Sequence, residues 1–189
     1  MSVTFEHIFI DSEVSDSRIP DHVNEYFPNQ KIIEVRGFEE IKKFIDRSDS
    51  KSIINSGKKL LYLNNYKGDV IKYCPAKSPG EYLCCDLHTI NLMSNCIFNC
   101  AYCILQACLT NPVMQVHCNL DHIFTELGKF DKNVNQTIRI CTGEVADSLA
   151  LDNILHQNEY LVSYFAECKN LYLELKTKSS AIENLLKID

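Results

Sequence analysis

Leu87-His88-Thr89-Ile90-Asn91-Leu92 runs straight into Met93-Ser94-Asn95-Cys96-Ile97-Phe98-Asn99-Cys100-Ala101-Tyr102-Cys103. The first stretch is apolar and β-prone; the second sets three thiols in one short segment punctuated by asparagines. A strand that empties into a loop of reactive residues suits the carboxyl edge of a parallel sheet. Two further junctions of this kind follow. Residues 137–141 read as a strand before Thr142-Gly143-Glu144, and residues 171–175 as a strand before Lys176-Thr177-Lys178. Helical patterns fill the intervals: residues 120–130, with Asn119 as N-cap, then 149–166, and finally 179–186. Alternating strand and helix imply a parallel sheet with the three chemical clusters on one rim.

Upstream, the reading is of a small α/β layer. Residues 7–10, 31–35 and 59–63 have strand character, and residues 20–27 suit a short helix. Phe38, Ile41, Phe44 and Ile45 recur at helical spacing, with Lys42, Lys43, Arg47 and Lys51 forming a basic, solvated face. Lys77-Ser78-Pro79-Gly80 is a turn signal. The expected division is therefore an α/β domain over residues 1–80 and a second domain over 81–189.

Ten cysteines in 189 residues are too many for an ordinary core, and nine of them fall after residue 80. The N-terminus has no basic segment followed by an apolar one, and no apolar run approaches a membrane span. A cytoplasmic location is the expectation, where clustered thiols point to metal or redox chemistry rather than disulfides. The net charge of −6 argues against non-specific nucleic-acid binding by this segment. Four readings of Cys96, Cys100 and Cys103 remain open on spacing alone. They are one face of a buried helix, a zinc site lacking its second pair, a redox pair, or an iron–sulfur site. Three thiolates on a four-iron cluster would leave one iron for an outside ligand.

Cys96-x-x-x-Cys100-x-x-Cys103, with Tyr102 just before the third cysteine, resembles the signature of radical S-adenosylmethionine (SAM) enzymes. A narrower resemblance, to the spore photoproduct lyase family, rests on several further segments. These are Cys103-Ile104-Leu105-Gln106, Val116, Asn119-Leu120-Asp121, Cys141-Thr142-Gly143-Glu144 and Thr177-Lys178. It covers most of residues 81–189 and is weaker in the N-terminal layer. The resemblance implies the first βα units of an incomplete radical-SAM TIM-like barrel behind the small α/β layer. It implies a 4Fe-4S cluster on Cys96, Cys100 and Cys103, and SAM held through Gly143, Glu144 and Lys178. It also implies SAM cleavage to a 5′-deoxyadenosyl radical for repair of a thymine-dimer lesion in DNA. Cys141 is then the thiol that returns a hydrogen atom, and Tyr102 the aromatic beside the cluster.

The chain departs from the family pattern in two ways. Ile104 stands where the family has a second tyrosine, and about half of the barrel, with its lesion-gripping hairpin, lacks a counterpart. A truncated product or fragment is therefore expected, meeting damaged DNA through a region not represented and taking its electron from an external donor. Alternatives are a radical enzyme acting on another substrate and a non-catalytic iron–sulfur remnant. Cys84, Cys85, Cys108, Cys118 and Cys168 read as small core residues. His88 reads as a packed core histidine, and His117 and His122 show no metal-like spacing.

Overall fold

The computed structural model describes residues 3–48, 50–73, 87–103, 109 and 111–188. The turn at residues 77–80 and Cys74, Cys84, Cys85, Ile104 and Cys108 lie outside the described residues. The chain forms two compact units, interleaved in sequence. One holds Met1–Tyr66 and Leu92–Asn119, the other Lys67–Asn91 and Leu120–Asp189. This differs from a single cut near residue 80.

The first unit opens with β1 (His7–Asp11), α1 (Arg18–Tyr26) and β2 (Ile32–Val35), then α2 (Ser50–Gly57) and β3 (Leu60–Asn64). The chain visits the second unit for β4 (Ile71–Tyr73) and β5 (His88–Ile90). It returns for β6 (Met93–Ser94) and β7 (Met114–His117). The resulting sheet runs β2-β1-β3-β7-β6, parallel except where β6 meets β7. Leu60, Leu61, Tyr62 and Leu63 are all buried, as befits a central strand covered on both faces. Phe9, Val35, Ile41, Ile45, Leu60, Tyr62 and Val113 form one apolar cluster here.

The expected helix around Phe38–Ile45 is instead two 3-10 turns, Phe38–Glu40 and Lys42–Phe44. Phe38, Ile41 and Phe44 are spaced by three, which is the 3-10 period, and this satisfies the same apolar pattern. Lys42 pairs with Glu39 and lies over the Phe38 ring, so part of the basic face is spent locally.

The second unit continues with α3 (Leu120–Asn133), β8 (Ile138–Thr142), α4 (Asp152–Leu155), α5 (Gln157–Ala166) and β9 (Leu171–Leu175). Its sheet runs β4-β5-β8-β9, with β5, β8 and β9 parallel and β4 antiparallel at the edge. Leu120, Ile123 and Leu127 give α3 its buried stripe. His88 is buried, its ring 4.6 Å from Tyr73 and 5.6 Å from Phe130. The chain is thus mixed α/β with parallel sheets. Among the described residues, no helix is long and apolar enough to cross a membrane.

Residues 149–166 are mostly helix, as expected, and His156 at φ +53° divides them into α4 and α5. Two expectations for this region change. Residues 179–186 yield only a 3-10 turn at Leu185–Lys187. There Ser179 N–H bonds to Thr177 Oγ1 and Ala181 N–H to Ser179 Oγ, so side chains take donors that a helix would use. Asn119 does not cap α3 with its side chain. Its amide instead brackets Tyr66, accepting from the Tyr66 N–H (2.7 Å) and donating to the Tyr66 carbonyl (3.1 Å).

The α4–α5 break carries a buried carboxylate. Asp152 Oδ1 accepts from the Asn158 N–H (3.1 Å) and amide (2.7 Å), whereas Oδ2 is buried without a partner. Burial pushes this carboxyl above the ordinary range, and the bonds from Asn158 oppose the shift. The folded protein then holds the proton more tightly than the unfolded chain. Stability falls as pH climbs from the usual carboxylate range through the raised value. Asp152→Asn keeps the acceptor and removes the charge. It should gain stability relative to the parent as pH rises from about 3 to 7, because only the parent must then carry a buried charge. Denaturant unfolding at the two pH values decides; a variant that gains nothing on the parent between them rules the account out.

Candidate functional site

The cysteine loop belongs to the first unit and follows β6, not β5 as the sequence reading had it. Strand β5 ends at Ile90, and Met93–Ser94 pair instead with Gln115 and Val116 of β7. Asn95 then turns the chain with φ +72°, a left-handed conformation that asparagine tolerates better than most residues. Its side chain is buried, donates to the Pro112 carbonyl and accepts the Cys96 N–H at 2.7 Å. The Phe98 N–H points at Cys96 Sγ (3.5 Å), and the Cys103 N–H closes a turn on the Cys100 carbonyl (3.0 Å).

Cys96, Cys100 and Cys103 are all half-buried on this loop, unlike Cys118 and Cys141, which are wholly covered. Soft thiolates, a backbone N–H already on one sulfur, and a lysine within electrostatic reach of all three suit an iron–sulfur cluster. By donor chemistry the residues fit the group. Among the described residues, however, no set of three or more His, Cys, Asp or Glu side chains is gathered to hold a metal ion.

The second unit carries the other two clusters, at the carboxyl ends of neighbouring parallel strands β8 and β9. Gly143 has φ +81° and sits against the Ala146 carbonyl and Ser148 Oγ. Glu144 is half-buried; it accepts from Thr89 Oγ1 (3.0 Å) and more distantly from Asn91 (3.5 Å) at the end of β5. Asp147, itself buried, accepts from the Thr177 hydroxyl (2.7 Å) and the Lys178 N–H (2.6 Å). Ser148 ties Thr142 to Lys176 in the same manner. The Gly143–Ser148 loop and the Thr177–Lys178 turn are therefore one hydrogen-bonded assembly. The Lys178 side chain is exposed.

Cys141 is buried on β8 between Thr89 and Glu174, and its thiol donates to the Thr142 carbonyl at 3.0 Å. Burial pushes the thiol up, although Lys176 pulls it down. Tyr102, by contrast, is 76% exposed on the cysteine loop. Sequence reasoning did not pick out Lys58 or Asp147, whereas Asn95 and Asn99 already marked the cysteine segment as a loop.

The family model for spore photoproduct lyase matches residues 11–189, nearly the whole chain. This chain belongs to the spore photoproduct lyase family. A curated family member, spore photoproduct lyase of Geobacillus sp. (strain Y412MC61), is 26% identical over 118 residues. That match takes in 61% of this chain and 33% of the relative. Among solved structures, a spore photoproduct lyase variant with bound AdoMet and dinucleoside spore photoproduct superposes with TM-score 0.82 at 18% identity. A spore photoproduct lyase complexed with dinucleoside spore photoproduct gives 0.80 at 20%. Each superposition covers 98% of this chain and 53% of the other, so the fold is shared and the chain spans about half of those proteins.

Proposed function

We propose that this chain carries the cluster-binding and cofactor-binding part of a radical-SAM lyase of this family, in the cytoplasm, for repair of a thymine-dimer lesion in DNA. The observation that carries the reading is the half-buried three-thiol loop, with its backbone N–H on sulfur and its lysine neighbour, in a chain of this family. Cys96, Cys100 and Cys103 hold the 4Fe-4S cluster. When bound, such a cluster would supply the single electron for reductive cleavage of SAM.

Every other task falls to this chain's own side chains. Glu144 pairs with the cofactor's ammonium, a match that Thr89 helps to orient. Gly143 lets the backbone approach closely, and Lys178 reaches the cofactor from a turn that Asp147 fixes. Cys141 returns a hydrogen atom to the substrate, with Tyr102 as the aromatic beside the cluster. Damaged DNA is gripped through a region beyond these residues, and an external donor supplies the electron.

Anaerobic reconstitution, iron and sulfide analysis, and incubation with dithionite and SAM test this. About four irons and four sulfides per chain are expected. Weak SAM binding and slow release of 5′-deoxyadenosine should follow. A loaded cluster that binds no SAM overturns the radical-enzyme reading.

A further inference from the structure

Lys58 stands immediately beyond α2, where its own N–H closes the last turn on the Ile54 carbonyl at 3.1 Å. The residue before it, Gly57, is buried, and a Cβ there would meet Pro112 at 2.5 Å. The turn is thus pressed against the residue whose carbonyl receives the Asn95 side chain. From this anchored base the Lys58 ammonium reaches into the middle of the cysteine loop. It donates to the Phe98 carbonyl at 2.6 Å and to Asn99 Oδ1 at 2.8 Å, between Cys96 and Cys100. Burial lowers its proton affinity, and the charges of Cys96, Cys103 and Cys100 act in the opposite direction.

A solvated surface lysine explains this poorly. Such a side chain gives up rotamer entropy when fixed, so it seldom commits to two acceptors without a gain in return. Here the acceptors are a backbone carbonyl and an amide oxygen within the thiol loop, and both bonds are charge-assisted. The lysine comes from 40 residues upstream, on a turn held by packing. One positive charge therefore stands beside three groups that become negative when they bind metal.

We propose that Lys58 is a positioning residue for the Cys96–Cys103 loop, and that its fixed positive charge eases reduction of the cluster the loop holds. This rests on the iron–sulfur reading above. Two physical effects follow from the one side chain. The hydrogen bonds hold the Phe98–Asn99 stretch in place, and so limit the ways the three thiols can splay apart. The ammonium stabilises whichever redox state carries more negative charge, which is the reduced one. Net charge and hydrogen bonding around the sulfurs are recognised levers on cluster potential. In the reduction itself one electron passes from the donor to the cluster, no bond is made or broken, and Lys58 remains protonated.

Three variants separate the effects. Lys58→Arg keeps charge and donors, Lys58→Gln keeps a donor without charge, and Lys58→Met keeps neither. Each chain is reconstituted anaerobically, its iron release to a chelator is timed, and its cluster is titrated with dithionite under electron paramagnetic resonance. Apo stability is followed in parallel by thermal unfolding. Lys58→Met should release iron about tenfold or more faster than the parent, the scale on which outer-shell partners usually act. Lys58→Gln and Lys58→Met should both titrate at more negative potential, and Lys58→Arg should resemble the parent on both counts. A Gln variant at the parent's potential overturns the electrostatic role, and a Met variant with the parent's release rate overturns the positioning role. A parent chain that takes no iron overturns the cluster reading as well, whereas a loaded parent with unchanged variants defeats the Lys58 proposal alone.

Discussion

Replacing any one of Cys96, Cys100 or Cys103 with alanine should remove nearly all of the roughly four irons that the reconstituted chain takes up. Loss of one thiolate leaves two protein ligands, too few to hold the cluster against chelation. The matched controls are cysteines of a different character. Cys118 is wholly buried, and burial pushes its thiol up to about 12, so it offers no thiolate at neutral pH. Cys168 bonds to the Tyr164 carbonyl, with burial raising its thiol too. Cys118→Ala and Cys168→Ala should therefore retain full iron content. If Cys141 has the hydrogen-returning role proposed above, Cys141→Ala should load iron and release 5′-deoxyadenosine as the parent does, because such a donor acts only after a substrate radical exists. The loop substitutions touch a half-buried surface segment and should leave apo stability within about 0.5 kcal/mol. Iron analysis beside thermal unfolding distinguishes lost ligands from lost fold. Full loading of Cys96→Ala would show that the cluster assignment is wrong.

Gly143→Ala should be the most damaging single methyl in the second unit, at about 3 kcal/mol. Two costs combine. A φ of +81° strains any residue with a Cβ, which is worth roughly 1–3 kcal/mol. The new Cβ would also lie 2.8 Å from the Ala146 carbonyl oxygen and 2.8 Å from Ser148 Oγ. Neither can retreat cheaply. The first is backbone, and the second is bonded to Thr142 Oγ1, the Thr142 carbonyl and the Lys176 N–H. Gly68→Ala is the control: φ is +123°, yet nothing lies within 4 Å, so it carries strain without crowding. Denaturant unfolding should rank Gly143→Ala well below Gly68→Ala. Equal losses would mean that the Gly143–Ser148 loop is looser than its hydrogen bonds suggest. If Glu144 on this loop pairs with SAM as proposed above, Gly143→Ala should also weaken SAM binding even where the chain stays folded.

Much of the fold was legible because its signals are local. The apolar runs at β1, β2, β3, β8 and β9 declare strands, and the stripe Leu120, Ile123 and Leu127 declares a helix. Errors arose where one pattern serves two structures. Phe38, Ile41 and Phe44 satisfy a 3-10 turn as well as an α-helix. The run ending at Leu92 looked like one strand, yet it stops at Ile90 and the chain pairs again as β6. Met114–His117 carries no clear strand signal of its own, because a four-residue run is too short for periodicity to declare it. Its place beside β3 comes from the register of Leu61 with Met114 and of Leu63 with Val116.

What the sequence determined by itself is the chemistry and its spacing: three soft thiols in one loop, a glycine before an acid, and lysines after a strand. Those features depend on neighbours along the chain, and side-chain type with backbone tolerance is enough to state them. Only the tertiary structure decided how the features are supported. Lys58 reaches Phe98 and Asn99 from 40 and 41 residues away, and Asp147 fixes Lys178 across 31. Asn119 turned from its expected cap to the backbone of Tyr66, 53 residues distant. Such partners leave no periodic trace, because a hydrogen bond closes in space once the sheets have set their registers.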